Sequence, residues 1–454
     1  MAEKIISPGV FTNEIDQSFL PAAVGNIGAA LIGPTLKGPA GIPTVVTSYS
    51  DFQAKFGDVV KSGSNSFQFL TSHTAEEYLK HAESLTVVRI MDGDIGFATA
   101  DVPSSTANGG TGNSFTLKTL SEGTIMNNSG STGNVTTNKA LTLGSIHNIR
   151  YEIQNVNNAK GTFTLLIRAG NDTEKRKNTL ESFVNVSLDP EEPNYIGKAV
   201  GDERLTLRTD GTTRYLESSG SFPLKSRYVT VESIKNTSDY LNANGVIRSN
   251  ALSASLPAAG SGSLHGGFGG GTNGYFGVDS LGTVSCNGLG SGPATASAVN
   301  FYEDIGIGSA QTQGFLPTDL TSDNGGSAYA EALDLLGNQD EFDINLLLLP
   351  GLMYSQHSTV LNKAIDICED RGDCFAIIDP TLYGQNPSDA VTQADSKDSN
   401  FAAMYYPWVK VTDSQVAGTT RWVPPSVVLG GVYAFNDRVA HPWFAPAGLN
   451  RGGI

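Results

Sequence analysis

FAAMYYPWVKVTD (Phe401 to Asp413) and RWVPPSVVLGGVYAFNDRVAHPWFAPAG (Arg421 to Gly448) form the most informative stretch of the chain. The first segment is an aromatic and β-branched run with Met404, Tyr405, Tyr406, Trp408, Val409 and Val411, which predicts a buried strand. Pro407 inside it predicts a bulge or a strand end. Asp413 to Thr420 reads as a turn-rich connection. Pro424, Pro425 and Ser426 ahead of VVLGGVYAF predict a helix start, because proline and serine suit the first turn. Gly430 and Gly431 weaken that helix, so close packing is expected there.

Working outward, the preceding residues become regular from Ser327. YAEALDLL (Tyr329 to Leu336) reads as a helix, and DINLLLLP (Asp343 to Pro350) as a buried strand. Ser358 to Arg371 places Val360, Leu361, Ala364, Ile365 and Cys368 on one helical face. DCFAIIDP (Asp373 to Pro380) is another apolar strand. This alternation predicts an α/β layer with neighbouring strands parallel. The first hundred residues supply similar material: strands at Ile27 to Ile32, Thr44 to Thr47 and Leu85 to Ile90, and a helix within Phe67 to His81.

Between them, residues 98–325 are rich in Gly, Ser, Thr and Asn and carry short alternating segments such as SFTLKTL, GTFTLLI and RYVTV. Frequent turns with short strands predict an all-β insertion of one unit or two. The expected fold class is therefore mixed α+β and α/β: an α/β core built from the N- and C-terminal parts, with a large β-rich insertion.

Composition narrows the function classes. The 454-residue chain has 16% charged residues, 52 glycines and a net charge of −16. Such acidity argues against coating nucleic acid, which needs clustered Lys and Arg. The longest basic run, Glu174-Lys175-Arg176-Lys177, reads as a solvated turn. Cys286, Cys368 and Cys374 have no disulfide-framework or metal spacing. No signal peptide is read at Met1 to Gly9, and no stretch approaches the ~18 apolar residues of a membrane span.

Chemical motifs are weak throughout. GPTLKGP lacks the Lys-Ser/Thr of a phosphate loop, and Gly269, Gly271 and Gly274 satisfy G-x-G-x-x-G without a strand before or a helix after. His73 and His81 have no companion ligands, and neither do His357 and His441. Asp189, Glu191 and Glu192 lack a cation-loop pattern. Asp343, Asp379, Asp413 and Asp437 stand near strand or helix ends and read as turn residues. An α/β enzyme, or a glycan-binding surface protein with a β accessory domain, remains as an alternative class. The enzyme reading requires perturbed acids or a nucleophile to converge in one cleft.

The order YYPWV, VPPS, GVYA, ND and APAG resembles the tail sheath proteins of contractile-tail, myovirus-type bacteriophages. The matching positions are Tyr405, Tyr406, Pro407, Trp408, Pro424, Pro425, Ser426, Asp437, Ala445, Pro446, Ala447 and Gly448. SPGV at Ser7, KGP at Lys37, VRI at Val88, SLDP at Ser187, LLLLPG at Leu346 and AIIDP at Ala376 fall in the same order as in that family. The likeness covers residues 1–100 and 327–454 well and the insertion in patches.

The resemblance implies a non-enzymatic structural subunit with no cofactor or metal. Residues 1–20 would be an inter-subunit arm, with Ser7, Pro8, Gly9, Val10, Phe11 and Ile15 adding a strand to a neighbour. Residues 21–97 and 327–454 would form the core, and 98–326 the outer β-rich insertion. Implied partners are further copies in hexameric rings stacked helically, the tail tube protein, and baseplate and neck or terminator proteins. Neither nucleic acid nor membrane insertion is implied. The protein would be made in the host cytoplasm and reside in the virion, contracting to drive the tube through the host envelope. The family continues past APAG, whereas this sequence stops at Arg451-Gly452-Gly453-Ile454, which implies a form lacking the C-terminal region.

Overall fold

Apolar strands from both ends of the chain meet in one sheet. The computed structural model describes residues 28–62, 65–129, 135–211, 213–274, 277–278, 284–285, 319–321, 325–412, 420–440 and 444–453. The arm positions Ser7, Pro8, Gly9, Val10, Phe11 and Ile15 lie outside the described residues, as do Cys286, Asp413 and His441.

The six-stranded sheet runs Ala402–Met404, Phe375–Asp379, Ile344–Met353, Gly28–Gly33, Leu85–Arg89, Thr44–Val46. All neighbours are parallel except the last pair. The Gly28–Gly33 strand is buried along its whole length. That explains why it reads as a continuous apolar run: both faces of a parallel sheet are covered. Alternate residues serve opposite layers. Leu31, Val87, Leu348 and Ile377 pack with the Tyr49–Phe56, Leu70–Leu79 and Pro425–Val439 helices. Ala30, Ile32, Leu347 and Ile378 pack with the Gly326–Leu336 and Tyr354–Arg371 helices.

The two glycines of the Pro425–Val439 helix sit where it crosses its neighbours. A Cβ on Gly431 would stand 2.7 Å from the carbonyl oxygen of Glu77 in the Leu70–Leu79 helix, and one on Gly430 would stand 2.8 Å from Leu348. Backbone cannot yield as a side chain can. Gly431→Ala is therefore expected to cost about 1–3 kcal/mol through forced separation of the two helices, read as a lower urea midpoint with unchanged slope.

Two expectations differ from the structure. Phe67 belongs to a hairpin strand, Asn65–Gln68, paired with Val59–Ser62, and the helix begins only at Leu70. The YYPWV run is not one buried strand. Ala402–Met404 ends at the sheet edge, while Val409–Thr412 pairs antiparallel with Thr420–Val423 in a separate hairpin. Pro407, after a cis Tyr406–Pro407 bond, lies between them. A proline has no N–H to give to a ladder.

Residues 95–273 supply antiparallel sheets. One orders Val229–Glu232, Asn113–Glu122, Ile95–Pro103 and Thr272–Asn273; another orders Thr179–Ser187, Thr162–Ala169 and Ile149–Asn157. Phe115 stacks on Phe163 at 5.8 Å, joining the two. A ribbon, Arg204–Asp210 with Thr213–Ser219, reaches the Gly326–Leu336 helix through Arg214 and Glu331 at 3.2 Å.

Buried polar side chains hold the passage from the large sheet to these sheets. Arg89, at the end of its strand, donates to the carbonyls of Gly38 (2.6 Å), Glu122 (3.1 Å) and Leu36 (3.3 Å). Asp92 accepts from the Gly325 N–H and the Ser327 hydroxyl, both at 2.9 Å, and so caps the Gly326–Leu336 helix from the other side of the passage. The chain thus leaves the large sheet beside the start of the helix that leads back to it.

Candidate functional site: the motif cluster at the carboxyl ends of the strands

Asp379 ends the Phe375–Asp379 strand and is 1% exposed. Its carboxylate accepts from the Ser426 N–H at 2.9 Å and the Ser426 hydroxyl at 2.5 Å. The Pro425–Val439 helix has Pro424 at its N-cap and no side-chain cap of its own. A carboxylate from another element supplies what the local sequence cannot: an acceptor for an otherwise orphaned first-turn N–H. Asp379 is thus a tertiary helix cap, not a turn residue as its IIDP context predicts.

Burial pushes the Asp379 carboxyl up to about 7, against the opposing pull of the Ser426 hydrogen bonds. A folded-state value above the unfolded one means that the native state binds the proton more tightly. Its stabilising effect is full below about pH 4 and is lost as pH rises through 7. Asp379→Asn, which keeps the size and an acceptor, is expected to flatten that dependence. Its Tm should rise by several degrees relative to the parent at pH 8 and stay level with it near pH 4.

Aromatic side chains pack around this cap. Trp408 is 6% exposed and donates its indole N–H to the Thr381 carbonyl at 3.0 Å. Tyr383 meets Trp408 edge-on at 5.8 Å and Trp422 at 5.3 Å. The Tyr406 hydroxyl donates to the Gln385 carbonyl, and the Tyr405 and Tyr433 hydroxyls meet at 2.5 Å. From the hairpin, buried Arg421 reaches buried His73 on the Leu70–Leu79 helix. Burial first, then the Arg421 charge, holds the imidazole well below its usual range, so it is the neutral acceptor.

The structure therefore brings Tyr405, Tyr406, Pro407, Trp408, Pro424, Pro425 and Ser426 together. It does not bring Asp437 or Ala445, Pro446, Ala447 and Gly448 into that cluster. Asp437 is exposed, and the APAG segment runs on the surface, held by a bond from the Asn436 amide to the Phe444 carbonyl at 2.7 Å. Thr381, Tyr383, Arg421 and His73 belong to the cluster without a sequence signal beyond the neighbouring motifs.

A shallow polar depression lined by Ser355, Gln356, Thr381, Gln385, Asp389 and Gln393 lies beside the cluster. Its one carboxylate, Asp389, is engaged in a capping box with Asn386. His357 is buried, with Nδ1 accepting from the Met353 N–H and burial lowering it to about 4. Asp343 is exposed at the amino end of its strand, opposite the end that carries Asp379. These acids do not converge. The Asp189 carboxylate is taken up by the backbone N–H groups of Glu191 and Tyr240. Among the described residues no three His, Cys, Asp or Glu side chains gather as a metal set, and no helix is long and apolar enough to cross a membrane.

No protein-family model matches the chain. The tail sheath protein of Enterobacteria phage T4 is 30% identical over 148 residues, a match covering 27% of this chain and 22% of the phage protein. Among solved structures, a sheath tail protein from Desulfitobacterium hafniense matches at TM-score 0.39 and 12% identity, over 95% of this chain and 62% of that one. A sheath tail protein from Listeria innocua matches at TM-score 0.43 and 11% identity, over 91% of this chain and 57% of that one. Each match spans less than two thirds of the relative's own length. In sequence, then, part of this chain is similar to a phage tail sheath protein.

Proposed function

We propose that the chain is a structural subunit of a contractile phage tail sheath. The observation that carries this reading is the 30% identity to the T4 tail sheath protein over 148 residues. On this reading copies assemble as hexameric rings stacked helically around a tail tube. The array shortens on a baseplate signal, and the tube is driven through the host envelope. Its partners are other copies, the tube protein, and baseplate and neck proteins, and its place is the virion. Neither catalysis nor a cofactor is required, because the work comes from a metastable extended assembly.

The same reading divides the chain into an arm at 1–20, a core at 21–97 and 327–454, and an outer insertion at 98–326. The Asp92 bonds to Gly325 and Ser327 support a passage between core and insertion near those boundaries. The edges of the large sheet support strand addition by a neighbour's arm at one side. Odd residues 401 and 405 bond inward to the Phe375–Asp379 strand, so the N–H and C=O groups of Ala402 and Met404 face outward. At the opposite edge the Lys55 ammonium already occupies the Val45 carbonyl at 2.9 Å, a lysine guard of the kind that discourages pairing.

Mass spectrometry of purified phage particles tests the reading. Peptides of this chain are expected among the most abundant in the particle, in step with the tube protein. Their absence from intact particles would overturn it.

A further inference from the structure

A basic tip stands on an otherwise acidic chain. The turn joining Thr162–Ala169 to Thr179–Ser187 carries Lys175 and Arg176, both exposed. The Glu174 N–H donates to the Asn138 carbonyl at 2.9 Å, which brings exposed Lys139 alongside. Glu174, the exposed acid of this turn, is 3.2 Å from Lys177. Lys139, Lys175 and Arg176 have no salt-bridge partner among the described residues.

The tip is held in shape from below. Arg168, fully buried, grips Asp172 with two bonds (2.6 and 2.8 Å) and Glu152 with a third (2.6 Å). Asp172 also accepts from the Asn178 N–H at the far side of the turn, and Lys177 reaches Glu152 at 2.7 Å. Arg150 donates to the Lys139 carbonyl at 2.8 Å. A buried network under an exposed turn fixes the backbone that carries the three cations before any partner arrives, which lowers the ordering cost of docking.

The matching charge lies elsewhere on the same chain. Residues 331–398 hold 13 Asp and Glu against three Lys and Arg, most of the net −16. Arg371 donates to the carbonyls of Leu336 (2.7 Å) and Phe342 (2.8 Å), placing the loop with Asp340 and Glu341 beside Glu369 and Asp370. All four are exposed. Glu369 and Asp370 occupy the last turn of the Tyr354–Arg371 helix, where the dipole disfavours carboxylates and a cation would relieve them.

We propose that the Lys139–Lys175–Arg176 tip docks on the carboxylate patch of Asp340, Glu341, Glu369 and Asp370 on a second copy of this chain. Tip and patch are different surfaces, so the contact is heterologous and propagates instead of closing as a pair. It rests on the self-assembly part of the reading above.

The test uses the full chain. An equal mixture of isotopically light and heavy protein is treated with a carbodiimide, which joins an amine directly to a carboxylate. Mixed-isotope peptides linking Lys139 or Lys175 to residues 340–341 or 369–370 are expected. The pair Lys175→Glu and Arg176→Glu should weaken association about tenfold in sedimentation velocity. Mixing it with the pair Glu369→Lys and Asp370→Lys should restore association. Tip links only to other surfaces, no intermolecular links at all, or a tip variant that associates like the parent would each overturn the proposal. A chain absent from particles that still gives these links would sink the sheath reading and leave this contact standing. Abundance in particles without the links would do the reverse.

Discussion

Replacing Arg168 with leucine is expected to destabilise the protein by about 3–5 kcal/mol, the usual cost of removing one member of a buried ion network. Arg168 is fully buried and makes short bonds to Asp172 and Glu152. Leucine would leave Arg150, at 3.4 Å, as the one cation paired with Asp172, and Lys177 as the one paired with Glu152. Two carboxylates would then be underpaired in a region that excludes water. Urea unfolding followed by circular dichroism reads the loss as a lower midpoint. A change below about 1 kcal/mol would mean that water reaches the network and that its charges are not desolvated. Replacing Arg150 together with Arg168, Asp172 and Glu152 by apolar residues of similar size should recover much of the loss, because a buried network is costly mainly when broken and Arg150 would otherwise stay buried without its carboxylate.

Arg89→Met is expected to have a comparable effect for a different reason. The arginine donates to three carbonyls, those of Gly38, Glu122 and Leu36, and is 2% exposed. Methionine fills the stem but leaves those acceptors without their donor. Each charged hydrogen bond of this kind is worth about 1.5–3 kcal/mol, and the three are not additive, so a total near 3–5 kcal/mol is expected. Glu122 loses the one nearby cation that most offsets its burial, which should raise its carboxyl further above its ordinary value. Hydrogen exchange locates the damage. Protection should fall first at the Leu36–Ala40 loop and at Ser121–Glu122, where the large sheet meets the antiparallel sheets. Uniform loss over the whole chain would argue that Arg89 stabilises the fold globally, with no special part in that junction.

What was legible in the sequence follows from what is local. The parallel strands were readable because burial on both faces leaves an unbroken apolar run, as in Leu346 to Leu349 and Ala376 to Ile378. The tight crossing at Gly430 and Gly431 was readable because two glycines in a helix need a packing reason. The bonds that hold the cluster were not. Asp379 caps a helix through Ser426, 47 residues later, and nothing beside it in the chain names its donor. The Arg168 network draws on three strands or turns whose charges look scattered until the sheet aligns them. YYPWV misled because a composition suited to one strand also suits two short ones divided by a proline.

The position of the Gly28–Gly33 strand has a consequence for how the chain is made. One of its neighbours, Leu85–Arg89, follows closely, but the other, Ile344–Met353, is about 300 residues away. At ordinary elongation rates the ribosome needs roughly 15–60 s to reach it. Through that interval GAALIG has one side open to any other nascent strand. The antiparallel sheets, encoded between the two neighbours, can finish folding first and hold the waiting ends close. Conditions that slow elongation late in the gene, or crowd many nascent copies on one message, should therefore lower the soluble yield of this protein before they alter the stability of what has folded.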